Sequence, residues 1–326
     1  MKTAILGAGA MGSLVGAHLK MGGAEVYFID VNEDHMKAVA KNGICMELEN
    51  ETEPRTVFVD GAEVNGDKVG ICDAVIVLVK CYDTEAALEA NRALFGKDTI
   101  AISLQNGVGG ADLVAKHIKP DCVGLGLLKS SANLIAPGRI LGNPRFSNSP
   151  KGVYFAPAKQ DSPYRSLYKE LEEYLNKGGM PAEVYDNIQE IIWDKLCSNA
   201  MMNGLAALLQ LSVEEISNHS DSLYIINQIA LEACQVASAR GIDLIAGNYI
   251  SENDKNGIDL SATETRHYVS MVLDAYHKRR TEIDFINGAI VMEGRKFGIP
   301  TPYNEAIWRI VRTLHDTYDN RYKPRI

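Results

Sequence analysis

Three glycines near the start of the chain restrict its fold more than any other feature. They stand in Gly7-Ala8-Gly9-Ala10-Met11-Gly12, directly after the apolar run Thr3-Ala4-Ile5-Leu6 and directly before a helical stretch at 11–21. A strand, a G-x-G-x-x-G turn and a helix in that order make the phosphate-binding opening of a βαβ unit. The first glycine permits the tight turn, the second lets a pyrophosphate reach the backbone, and the third lets helix and strand approach each other. The helix start adds unpaired N–H groups and the positive end of a dipole. Gly7, Ala8, Gly9, Ala10, Met11 and Gly12 are therefore the expected cradle of a dinucleotide.

Asp30 closes the second apolar run, about 20 residues past the glycines, where a carboxylate can bond the adenosine ribose hydroxyls and repel a 2′-phosphate. The first basic residue after it is Lys37. Locally this favours NADH over NADPH, although a helix cap or a loop would also accept an aspartate.

The rest of the first half keeps the same alternation. Strands are expected at 3–6, 24–29, 57–59, 74–79, 99–102 and 123–127, and helices at 11–21, 33–41, 83–94 and 110–117. Apolar strands alternating with helices imply a parallel sheet covered on both faces. Residues 133–150, rich in Gly, Pro and Asn, read as irregular. A helix at 163–177 and a strand at 182–185 follow. From Asn187 onward only helical periodicity remains, at 188–209, 222–240, 263–278, 282–297 and 303–318. The expected class is α/β, a Rossmann-type doubly wound sheet over residues 1–187 and an all-helical catalytic and substrate domain over 188–326. A chain of 326 residues has room for two cores.

Charge and cysteine content narrow the function. A formal charge of −9 argues against binding nucleic acid or anionic lipid without regard to sequence, since both need clustered Lys and Arg. No basic, apolar and small-residue leader precedes the first strand, and the longest clean apolar run, 74–79, is far short of the roughly 20 residues that span a bilayer. The six cysteines form no C-x-x-C pair and have no histidine at zinc spacing, so reduced thiols, a cytoplasmic location and no metal are expected.

The chemistry points to one helix. In Trp193-Asp194-Lys195-Leu196-Cys197-Ser198-Asn199-Ala200-Met201-Met202-Asn203 the residues Lys195, Asn199 and Asn203 fall at i, i+4 and i+8, on one face. Their neighbours are mostly apolar, so a largely buried helix would present one ammonium and two amides. An exposed polar stripe on a surface helix is the alternative.

Taken together, these residues resemble the ketopantoate reductase (2-dehydropantoate 2-reductase) family over nearly the whole chain. The likeness rests on the glycine motif, on Val79-Lys80, on Gln105-Asn106-Gly107 and on the 193–203 helix. It continues in Ser270, in Thr281-Glu282-Ile283-Asp284 and in Phe297-Gly298-Ile299-Pro300-Thr301-Pro302-Tyr303-Asn304. The resemblance implies a helical second domain like that of 6-phosphogluconate dehydrogenase, an active site in the cleft between the domains, and NAD(P)H-dependent reduction of ketopantoate to pantoate on the way to pantothenate and coenzyme A. It implies that Lys195 gives a proton to the substrate carbonyl, that Glu282 sits in the active site near cofactor and substrate, and that Asn199, Asn203 and Ser270 bind substrate. It further implies that Asn106 touches both cofactor and substrate, that Lys80 touches the cofactor, and that Ser131 and Ala132 lie near the nicotinamide.

Taken singly, Asn106 could be a turn residue, Lys80 a solvated strand end, and Glu282 a first-turn carboxylate beside a Thr281–Asp284 capping box. The chain departs from the family in Asp30, where many members carry a base for NADPH, and in the apolar 205–213 stretch, where some carry a further asparagine. A second reading is therefore an NAD-dependent D-2-hydroxy-acid dehydrogenase acting on a branched or aromatic 2-oxo acid. A third, of another class, is a non-catalytic regulator that binds a nicotinamide dinucleotide. The partner is a small 2-oxo acid, with no nucleic acid and no membrane, and the apolar helices of the second half leave room for a homodimer interface.

Overall fold

Successive side chains of the first strand, β1 (Lys2–Leu6), leave on opposite faces and set the layers around it. Ile5 enters one apolar cluster, while Ala4 and Leu6 enter another. The computed structural model describes residues 1–49, 51–146, 148–249 and 267–320. They divide into two units, Met1–Ile188 and Gln189–Ile326.

In the first unit β1 is followed by α1 (Ala10–Gly22), β2 (Glu25–Ile29), α2 (Glu33–Asn42), β3 (Ile44–Leu48), β4 (Arg55–Val57), β5 (Gly61–Glu63) and β6 (Ala74–Val77). Next come α3 (Thr84–Ala90), β7 (Ile100–Ser103), α4 (Gly110–Val114), β8 (Val123–Leu128), β9 (Ser131–Ala136) and β10 (Arg139–Asn143). The unit closes with β11 (Val153–Pro157), α5 (Arg165–Lys177) and β12 (Ala182–Val184). Eight strands form one sheet in the order β12-β11-β8-β7-β6-β1-β2-β5. Neighbours from β5 to β8 are parallel, as the alternation of strands and helices requires. At the far edge β11 runs antiparallel to β8, so the expectation of a purely parallel sheet fails there. No crossover helix separates β8 from β11, and the chain returns from β9 and β10 in the opposite direction.

Those two strands also correct the reading of 133–150 as irregular. Pro137-Gly138, with Gly138 at φ 73°, turns the chain between β9 and β10, and β10 pairs with β3 in a second sheet of order β4-β3-β10-β9. The run at 57–59 contributes only Val57, as the end of β4 in this smaller sheet. α1 packs against both sheets. Its Leu14, Val15 and Leu19 share a cluster with Ile5, Ile76 and Ile102 of the large sheet and with Ile44, Met46 and Ile140 of the small one. Burying each such side chain contributes about 1.5–3 kcal/mol, so this helix anchors the unit and holds the glycine turn at its N-terminus.

The second unit is helical: α6 (Ile188–Leu209), α7 (Val213–Ser217), α8 (Ser220–Ala239), α9 (Ser270–Tyr276), α10 (Asn287–Phe297) and α11 (Pro302–Asp316). No strand occurs among its described residues. The helix expected at 263–278 is shorter, because 267–269 approach α9 as non-helical chain with Val269 extended at its N-cap; 263–266 lie outside the described residues. The stretch expected at 282–297 breaks after a 3-10 turn at Ile283–Phe285, where Ile286 leaves helical geometry. α7 was not visible in the periodicity. It forms through a capping box in which Ser212 accepts from the Glu215 N–H and the Glu215 carboxylate accepts from the Ser212 N–H.

Candidate active site

The glycine turn has a different constraint at each glycine. Gly7 ends β1 at φ 95°, and a Cβ there would stand 2.3 Å from the Val79 nitrogen. Gly12, one turn into α1, would drive a Cβ to 2.1 Å from the Gly7 carbonyl oxygen. Both are required by the protein's own packing. Gly9 is not: its φ of −63° suits any residue, and the nearest atom to a Cβ would be Asp30 Oδ2 at 4.0 Å. The space over Gly9 is open. Gly9 caps α1 without a side-chain bond, and Ala10 and Met11 open a 13-residue helix whose first turn carries no acid of its own to answer its positive end. A dinucleotide phosphate fits that space and that field.

Asp30 is half-buried at the end of β2. Its Oδ1 accepts from the Asn32 N–H at 2.9 Å, which leaves Oδ2 directed toward the Gly9 side of the turn. Lys37 is exposed on α2 and engaged by Glu33 at 2.7 Å.

Lys80 and Asn106 follow β6 and β7, at the carboxyl edge where parallel sheets bind ligands. A residue named above only as part of a motif, with no role of its own, fixes both segments. The buried Gln105 donates from Nε2 to the Val79 carbonyl and the Thr84 hydroxyl, each at 2.7 Å, and accepts from the Ser103 hydroxyl at 2.9 Å. The Cys81 thiol adds a bond to the Asn106 carbonyl at 3.3 Å. Gln105 thus sets the backbone on which Lys80 and Asn106 are displayed. The signal was its place at a strand end beside Asn-Gly, where a buried amide needs partners. Ala132 lies in β9, half-buried, opposite Gly142 of β10.

In the second unit, α6 buries Trp193, Leu196, Cys197, Ala200 and Met201. Along its polar line Lys195 and Asn199 are half-buried, and Asn203 is 5% exposed. Asp194 accepts from the Tyr249 hydroxyl at 2.6 Å; burial first, and then that carboxylate, raise the Tyr249 pKa. Ser270 is the exposed first residue of α9, and Glu282 is 7% exposed just before the 3-10 turn.

The Thr281–Asp284 capping box does not form. Asp284 takes the Trp308 indole N–H at 2.7 Å, and the Thr281 hydroxyl meets His315 Nε2 at 2.9 Å. Beneath α6, Asn287 donates to the Ala200 carbonyl at 3.1 Å and to Asn304 Oδ1 at 3.0 Å, which pins the backbone between Asn199 and Asn203. Neither amide was expected to support this helix, because isolated asparagines on distant helices carry no local pattern.

Among the described residues no cluster of three or more His, Cys, Asp or Glu could hold a metal, and no helix is long and apolar enough to cross a membrane. All six cysteines are free thiols.

Comparison with known proteins shows the family to which the chain belongs. The family described as Ketopantoate reductase PanE/ApbA matches residues 3–157, and its C-terminal counterpart matches residues 187–315. A 2-dehydropantoate 2-reductase from Pyrococcus horikoshii is 30% identical, with 96% of this chain and 97% of that protein aligned. One from Streptococcus pyogenes is 29% identical over 94% of this chain and 95% of its own length. Among solved structures, the ternary structure of D-mandelate dehydrogenase with NADH and anilino(oxo)acetate is similar at a TM-score of 0.83, with 30% identity over 97% of this chain and 99% of that one.

Proposed function

Since the chain belongs to the ketopantoate reductase family and is an NAD(P)-dependent oxidoreductase, we propose that it reduces the ketone of a small 2-oxo acid, with 2-dehydropantoate the leading substrate and pantoate the product. The observation that carries this reading is the polar line of Lys195, Asn199 and Asn203 on a helix whose Trp193, Leu196, Cys197, Ala200 and Met201 are buried. An ammonium held there can stabilise the negative charge that grows on a carbonyl oxygen during reduction, and can then deliver the proton. Asn199 and Asn203 donate to carboxylate or hydroxyl oxygens without adding charge, so they orient the substrate rather than react. Ser270 and Glu282 complete the substrate-facing set, with Glu282 near the cofactor as well.

The reduced nicotinamide, when bound, supplies the hydride. The chain holds it through the open backbone at Gly9, the start of α1, Asp30, Lys80, Asn106 and Ala132. Asp30, with Lys37 turned to Glu33, favours NADH. The same carboxylate, together with the likeness to a D-mandelate dehydrogenase solved with NADH, supports a second reading as a D-2-hydroxy-acid dehydrogenase.

Steady-state oxidation of NADH and NADPH with 2-dehydropantoate, 2-ketoisovalerate and phenylglyoxylate tests both. Preference for 2-dehydropantoate supports the first reading, whereas turnover confined to phenylglyoxylate or 2-ketoisovalerate replaces it with the second.

A further inference from the structure

We propose that His35 is a positioning residue of the dinucleotide site, holding the glycine turn and the β9–β10 turn in one arrangement while its ring is neutral. The inference rests on the reading of the Gly7–Gly12 turn as the phosphate cradle. His35 belongs to α2, is fully buried, and reaches between two segments distant in sequence. Its Nδ1 lies 2.9 Å from the Gly138 nitrogen. A backbone N–H can only donate, so Nδ1 carries the lone pair and the ring proton resides on Nε2. Nε2 lies 2.9 Å from the Ala8 carbonyl oxygen and 3.1 Å from the Ser13 hydroxyl, which itself donates to Ala8 O at 2.9 Å.

The consequence follows from peptide planarity. In a trans peptide the C=O of Ala8 and the N–H of Gly9 point in opposite directions. With the carbonyl drawn inward by His35 and Ser13, the Gly9 N–H is aimed outward, into the open space where an anion would sit. That N–H makes none of the backbone hydrogen bonds found among the described residues. The other arm of the ring fixes Gly138, whose carbonyl accepts from Cys45 N at 2.9 Å and so ties the turn to β3. β9, which carries Ala132, ends at Ala136 on that turn's other side. One imidazole therefore registers the phosphate cradle against the strand expected near the nicotinamide.

A proton on Nδ1 would set two donors against each other at Gly138. Burial lowers the His35 pKa, which keeps the ring neutral at ordinary pH. Asp30 is the charged group whose field opposes this. Arg139, beside Gly138, is turned to Glu47; Glu33 and Lys37 pair on the exposed side of α2, where Asp34 is also exposed; and α1 faces the ring with the neutral Ser13.

The test is the affinity for NADH and for NADPH, by fluorescence titration, between about pH 5.5 and pH 8, in the wild type, His35→Gln and His35→Leu. Glutamine offers one donor and one acceptor but cannot titrate. The wild type is expected to lose affinity on the acid side, His35→Gln to bind at neutral pH and to lack the acid limb, and His35→Leu to bind about tenfold more weakly, equivalent to ~1.4 kcal/mol. Wild-type affinity in a folded His35→Leu protein, or an unchanged acid limb in His35→Gln, overturns the proposal. Should His35→Leu fail to fold, the glutamine variant decides. Failure of the wild type to bind either nucleotide at any pH refutes the phosphate-cradle reading itself, and the role of His35 with it.

Discussion

Glu232 of α8 and Asn304 of α11 share two hydrogen bonds, from the Asn304 backbone N–H at 2.9 Å and from its Nδ2 at 2.8 Å, both to Glu232 Oε2. The other oxygen accepts from the Tyr303 N–H at 2.9 Å. A buried carboxylate thus answers the orphan donors and the positive end of α11, a task usually met by an N-cap side chain. Because Asn304 also accepts from Asn287, which holds the backbone of α6, this link supports the helix carrying Lys195. Glu232→Gln would place an amide N–H against a donor. We expect a loss of about 2 kcal/mol in chemical denaturation, and an unchanged midpoint would remove Glu232 from the support of α6.

Lys195→Ala is expected to lower turnover by roughly 10²–10⁴-fold if the ammonium delivers the proton, with nucleotide affinity retained. Single-turnover rates alongside nucleotide titration separate the two effects. Undiminished turnover would assign the proton to another group.

Asp30→Ala should weaken NADH and narrow the preference against NADPH, since the carboxylate both bonds ribose hydroxyls and repels a 2′-phosphate. The ratio of kcat/KM for the two nucleotides is the readout. A constant ratio would leave Asp30 as a turn residue that accepts only from Asn32.

The glycines should separate by substitution. A serine at Gly9 has room for its Cβ and is a good N-cap, so Gly9→Ser should keep the melting temperature while weakening nucleotide binding. Gly7→Ala meets both a positive φ and the Val79 backbone, and should cost more than about 2 kcal/mol of stability. Equal stability loss in both variants would contradict the distinction.

Three imidazoles, His18 and His35 buried and His315 half-buried, give the fold an acid-side weakness. Burial is the main cause that holds His18, His35 and His315 below their ordinary pKa of 6.5. In the folded chain each keeps an unprotonated nitrogen: His18 Nε2 has no partner, His35 Nδ1 accepts from Gly138, and His315 Nε2 accepts from Thr281. The unfolded chain takes up protons first as pH falls below 6.5, so stability should decline there and be insensitive to these groups above it. Thermal melts across pH 5.5 to 7.5 should show a drop of a few degrees or more on the acid side; a flat profile through about pH 6 would contradict it.

Local pattern alone determined much of this protein. The strand, glycines and helix at 3–21 specify a phosphate-binding βαβ unit, because each constraint is met within a few residues. The spacing of Lys195, Asn199 and Asn203 places them on one helical face by geometry alone. Tertiary structure decided what depends on partners far away in sequence. The direction of β11 and the second sheet follow from β3 meeting β10 and β8 meeting β11, pairings between segments that carry no local sign of each other. The roles of Gln105, His35, Asn287 and Glu232 were likewise hidden, since a polar residue in a sequence shows its hydrogen-bonding capacity but not its burial. Only the folded chain supplies the partners that make each of them necessary.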